Sequence, residues 1–178
     1  MQRRFLPLIL ILSTLWVACA PAPNALQGTP NGSLQANSAS TPDARFYDTA
    51  LDAYRWVQLD ARNWDFAARL AKVEGTMVDE QGRSFEWKFY FTAPGKQKAL
   101  LVTSRREKRE VNNIYFGMIF DSSWRIDSDK ALTQAKEHGL KRFPVWSMEI
   151  RDIGRDWEIS SSEGRFRVDL SSGQVSKQ

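Results

Sequence analysis

The sequence predicts an α+β protein in which a helix followed by an antiparallel meander occurs twice. The stretch SFEWKFYF places Phe85, Trp87, Phe89 and Phe91 in alternation with Glu86, Lys88 and Tyr90, the period of a strand with one face buried. DSDKALTQAKEHG repeats small Ala residues at i and i+4 and ends on Gly139, the pattern of a helix lying close against a sheet. VWSMEIRDI, DWEISSS and RFRVDLSS then follow one another across short turns, as the strands of a meander do.

The chain opens with MQRRFLPLILILSTLWVA, where Arg3 and Arg4 precede an apolar run from Phe5 to Ala18. A spanning helix needs about 20 apolar residues, and this run is shorter and interrupted by Pro7, Ser13 and Thr14. The layout is that of a secretory signal peptide over residues 1–18. The next residue, Cys19, is the only cysteine in the chain. Two cleavage readings stand: Trp16-Val17-Ala18-Cys19 resembles the lipobox of bacterial lipoproteins, with Trp16 where Leu is usual, and Ala18-Cys19-Ala20 also satisfies the small-x-small rule of ordinary secretion. The lipobox resemblance implies an acylated Cys19 that anchors the protein to a lipid bilayer, at ~0.8 kcal/mol per buried methylene. It also implies location in the bacterial cell envelope, on the periplasmic face of the outer membrane. With no second cysteine, disulfides and thiolate metal sites are excluded.

Residues 19–43 consist almost wholly of small, polar, Pro and Gly residues without an aromatic, too little apolar surface to offset ordering, and read as a tether. Residues 44–121 are expected to form the first helix-and-meander unit and residues 122–178 the second. In the first, Phe46, Ala50, Tyr54 and Val57 recur at helical spacing over 43–58. A second helix is expected over 63–73, where Asn63 would cap it, Phe66, Ala67, Leu70, Ala71 and Val73 would form its stripe, and Gly75 would stop it. The strand SFEWKFYF, reached through the turn EQGR, is followed by KALLVTSR, the charged segment RREKREVNN and a further apolar run, IYFGMIF. Asp127 or Ser128 is expected to cap the helix of the second unit, and Gln174 to Ser176 to form a last short pairing element.

WDFAARLAKVEG aligns with SDKALTQAKEHG at Asp65/Asp129, Ala67/Ala131, Ala71/Ala135 and Gly75/Gly139, which suggests a duplication. The second unit, with Ala131, Ala135, Trp157, Ile159, Val168, Asp169, Gly173 and Val175, resembles a PepSY-type domain over residues 127–178. The first unit lacks the closing Val-Asp-x-x-x-Gly-x-Val pattern. The resemblance implies tandem PepSY-like units in an envelope lipoprotein, protein binding and, through a plan shared with protein inhibitors of extracellular enzymes, inhibition.

No residue pattern points to catalysis or to a cofactor. His138, the only histidine, stands beside the Gly that ends a helix, where a surface residue favoured by the helix dipole is expected. Asp127-Ser128-Asp129 reads as a helix cap, since a calcium loop needs more oxygens and its own Gly. Removing Arg3 and Arg4 leaves 23 basic against 21 acidic residues, too even a balance to imply nucleic acid. Trp87, Trp146 and Trp157 fall on apolar strand faces and are expected in the core. Trp124, in a polar loop, is a candidate contact residue. Arg105, Arg106, Lys108 and Arg109, interleaved with Glu107 and Glu110, read as a solvated strand end or hairpin, or as a rim meeting an acidic partner or anionic headgroups. The expected function is a non-enzymatic binding module for an envelope protein. A structural envelope component and a carboxylate-based hydrolase are the alternatives.

Overall fold

Among the described residues two helices and eight strands follow one another: α1 (Ala50–Trp64), β1 (Arg69–Val78), β2 (Ser84–Thr92), β3 (Lys98–Thr103), β4 (Lys108–Asn112), α2 (Ser128–Glu137), β5 (Val145–Ile150), β6 (Asp156–Ser161), β7 (Gly164–Asp169) and β8 (Val175–Lys177). The computed structural model describes residues 48–113, 117–119, 122–151 and 154–178. These belong to one unit spanning Ala39–Gln178. The expected signal peptide, Cys19 and the tether lie outside the described residues.

The class is α+β, as the sequence predicts. All strands join one antiparallel sheet in the order β4-β3-β2-β1-β5-β6-β7-β8. Each half of the chain thus supplies one helix and four strands, with the first strand of each half meeting at the centre and the last at an edge. α1 buries Ala50, Ala53, Tyr54, Val57 and Ala61, a helical stripe, against β1, β2 and β3. Tyr54 packs on Phe89, Phe91 and Trp124. α2 lies over β7, with Ala131, Leu132 and Ala135 inward. Among the described residues the core cluster and the side chains packed on it run from Ala50 to Val175, so residues 39–178 carry it whole.

Both helices start in the same way. The indole Nε1 of Trp87, on β2, donates to the carbonyl of Asp48 at 2.8 Å, and that of Trp157, on β6, donates to the carbonyl of Ile126 at 2.9 Å. Each carbonyl lies two residues before its helix, and the two rings meet with centroids 5.9 Å apart. Asp127 caps α2, its carboxylate accepting from the Ser128 amide. Thr49 makes no such bond at the start of α1. Instead the first amides of α1 reach across the molecule: Ala50 N donates to Ser128 Oγ and Leu51 N to Asp127 Oδ1, both at 3.0 Å. Ser128 Oγ in turn donates to the Gly82 carbonyl at 2.7 Å. Gly82, at φ +76°, lies where a Cβ would come 2.3 Å from the Asp129 amide nitrogen.

Several expectations are corrected. Residues 69–78 are a strand, not the second half of a helix over 63–73, and α1 continues instead to Trp64. The short apolar run fits both periods, and tertiary pairing decides between them. Gly75, expected as the helix stop, sits mid-strand, where a Cβ would come 2.3 Å from the Trp87 ring. The alignment of 64–75 with 128–139 therefore sets a strand against a helix, although the order of elements does repeat. Of the expected run IYFGMIF, 117–119 is not strand and the remainder lies outside the described residues; the fourth strand is the charged segment, β4. Trp146 is 61% exposed and Trp124 only 4%, so the expected core and contact roles of these two tryptophans are exchanged.

The Asp169 and Gly173 positions have a local role. The Asp169 carboxylate accepts from the amides and hydroxyls of Ser171 and Ser172 and closes the β7–β8 turn, with Gly173 at φ +75°. Those bonds hold the Asp169 carboxyl well below the usual carboxylate range.

Candidate binding surface

The side chains of β2 that alternate with Trp87, Phe89 and Phe91 point to the face opposite the helices, and no described element covers that face. Its register builds a row across the sheet. Lys88 on β2 stands opposite Glu74 on β1, Glu74 opposite Glu149 on β5, Glu149 opposite Glu158 on β6, and Glu158 opposite Arg167 on β7. Three neighbouring glutamates in one row would repel. Cations beside the row offset this.

Lys72 Nζ lies 2.9 Å from Glu74 and 3.4 Å from Glu149, and 5.5 Å from the Tyr90 ring centroid. Arg151 bridges Glu149 and Glu158, and Arg167 reaches Glu158 at 3.0 Å. The result is a continuous alternation of charge over β1, β5, β6 and β7. Burial alone would lower the Lys72 ammonium, but the hydrogen bond and charge of Glu74, with Glu149 behind, hold it above its ordinary value. Burial likewise pushes Glu149 up, and the Arg151 hydrogen bond with the charges of Lys72 and Arg151 outweighs it and holds the carboxyl down. Asp156, opposite Asp169, is pushed up by burial and then by that neighbour's charge. Toward β3 the face turns apolar, with Ala99 and Leu101 buried.

The expected basic rim is divided by strand alternation. Lys108 Nζ turns to the helix side and pairs with Asp60 of α1 at 2.9 Å. Arg109, opposite Leu101, is on the open face. Arg105 and Arg106 occupy the β3–β4 turn, which Thr103 holds by accepting at its hydroxyl from the Arg105 and Glu107 amides. The Arg105 guanidinium stacks 4.6 Å from the Phe85 centroid. Arg106 shares a small hollow with Asp48 and the exposed Trp56. Trp124 lies in the core, its Nε1 donating to Ile126 O at 3.1 Å, and offers no ring face to a partner. His138 is exposed at the end of α2, its Nδ1 3.0 Å from Gln134 O.

Sequence reasoning missed the carboxylate row. Each member falls on a strand's polar positions, but their juxtaposition depends on the β1–β5 pairing of residues 75 apart in sequence, for which the chain carries no local signal. Among the described residues no group of three or more His, Cys, Asp or Glu side chains is placed to hold a metal, and no helix is long and apolar enough to cross a membrane. Comparison of the chain with protein-family models, with curated proteins and with solved structures finds no match.

Proposed function

We propose that this is a lipid-anchored protein of the bacterial envelope, held by an acylated Cys19, whose folded part binds another protein and catalyses no reaction. The observation that carries the binding reading is the charge row on β1, β5, β6 and β7, on a face that no described element covers there. Its side chains are half-buried and held in ion pairs on a rigid sheet, so the pattern exists before a partner arrives and little ordering is lost on docking. The same pairing argues against acid–base work by these groups, since Glu74, Glu149 and Glu158 each already face a cation. The tandem PepSY-like plan belongs to this proposal; the repeated helix-and-meander order supports it. Inhibition of an extracellular enzyme is the form of binding that the resemblance implies.

Three measurements test the proposal. Mass spectrometry of the mature chain should find an acylated Cys19 at the N-terminus; an unmodified terminus beginning at Pro21 would overturn the anchor. The 39–178 fragment should capture a defined protein from envelope extract. Arg109→Glu with Arg167→Glu should weaken capture, more at low salt than at high. Capture unchanged by these reversals would overturn the open face as the site. Turnover of a glycan, peptide or ester, lost on changing one Asp or Glu without unfolding, would overturn the non-enzymatic reading.

A further inference from the structure

On the helix side of the sheet, away from the charge row, α1 ends against the start of β1 and leaves a cleft of about 460 Å³. This is within the range of small-molecule sites, ~300–1,000 Å³. Tyr54, Leu70, Phe91 and Ile119, nearly buried, form its floor, and the exposed Phe66 and Met118 supply its accessible apolar wall. The floor is fixed: Ile119 N donates to Leu70 O at 2.7 Å, and Tyr54 is stacked on Phe91. Before β1 the Asp65 carboxylate accepts from Ala67 N at 2.8 Å and holds the turn that carries Phe66, 91% exposed.

Two arginines flank the mouth. Arg62 leaves the last turn of α1 and Arg69 opens β1, where its Nη1 donates to Ala68 O at 2.9 Å. Neither has an ion-pair partner among the described residues, and no described Asp or Glu lines the cleft. Nearby Asp65 is taken up by Lys96. An apolar wall beside two guanidinium groups that have no ion-pair partner among the described residues suits a ligand with a carboxylate at one end and an apolar body at the other.

We propose that this cleft binds a small anionic amphiphile, a carboxylate with an alkyl chain, its headgroup between Arg62 and Arg69 and its chain against Phe66 and Met118. The site is separate from the open sheet face, so its fate does not decide that of the protein-binding reading. The test is calorimetric titration of the 39–178 fragment with laurate, with acetate and with dodecyl maltoside, all below micelle-forming concentrations. Laurate should bind saturably, one molecule per chain, and the other two at least about tenfold more weakly, since each lacks one half of the recognition. Arg62→Ala and Arg69→Ala should each weaken laurate about tenfold, the loss of a charge-assisted hydrogen bond, while leaving the urea midpoint in place because both side chains are exposed. Arg62→Lys, which keeps the charge and loses the planar fork, should fall between. Dodecyl maltoside binding as tightly as laurate, laurate binding indifferent to both arginines, or no saturable binding would each overturn the proposal.

Discussion

In the first half of the molecule Trp87 receives its helix by donating to Asp48, and in the second Trp157 does the same to Ile126; the two indoles even touch. The helices themselves differ. α2, of 10 residues, carries its own cap in Asp127, whereas α1, of 15 residues, begins at a Thr49 that caps nothing and takes its partners from Asp127 and Ser128. One carboxylate therefore faces the positive ends of both helix dipoles. The difference teaches that the repeated order of elements does not make two independent units. The halves share a sheet, an aromatic contact and a cap.

The sharpest test of equivalence is at the tryptophans. Trp87→Ala and Trp157→Ala should each cost ~3–5 kcal/mol in urea unfolding, as fully buried aromatics do; the Ile126 carbonyl keeps the Trp124 indole as a donor when Trp157 is removed. Similar losses are expected from the two. A cost below about 1 kcal/mol for either would break the parallel between the halves.

The cap tests their difference. Ser128→Ala removes the acceptor of Ala50 N and the donor to Gly82 O, and should cost ~1–3 kcal/mol. Thr49→Ala, at the position where a cap normally sits, should stay within ~0.5 kcal/mol. If Thr49→Ala proved the more costly, α1 would be capped from within its own half after all.

The smallest effect is expected where the halves meet on the open face. Lys72→Met leaves Glu74 opposite Glu149 with less compensation and should cost up to ~1 kcal/mol at neutral pH. Glu149 is held below its ordinary 4.5, so its contribution is present above that pH and is lost as pH falls through the lowered value. Lys72 is held above 10.5, so its contribution is present below that pH and is lost as pH rises through the raised value. The difference between wild type and variant should be flat between these limits and shrink beyond both. A difference undiminished at about pH 2 would assign the role of Lys72 to packing instead of charge.

Much of the second half was legible because its strands are short, regular and bounded by Gly turns, and β5 to β8 fall close to their expected places. The first half was less so. Leu70, Ala71 and Val73 satisfy helical and strand spacing alike, and the irregularity between Leu70 and Lys72 obscures the period of β1. Trp146 projects into solvent because the alternation of its strand breaks beside it: Val145, Met148 and Ile150 are all in the core, and on β1 Met77, next to the partner of Val145, is at φ +52°. The candidate site was legible only as residues: Arg109 was named from its charge run, but the row from Lys88 to Arg167 exists through five strands drawn together. The cleft of Arg62 and Arg69 left no pattern, since α1 must end beside β1 before those side chains share a mouth.

A chain made from its N-terminus presents α1 long before it presents Ser128, which follows Ala50 by 78 residues. Until then two amides at the start of that helix have no partner within the chain, and the strand β5 that completes the centre of the sheet has not appeared. Closing so distant a contact costs loop entropy that nearby contacts do not repay early. The start of α1 can therefore gain these partners only once the second half has been made.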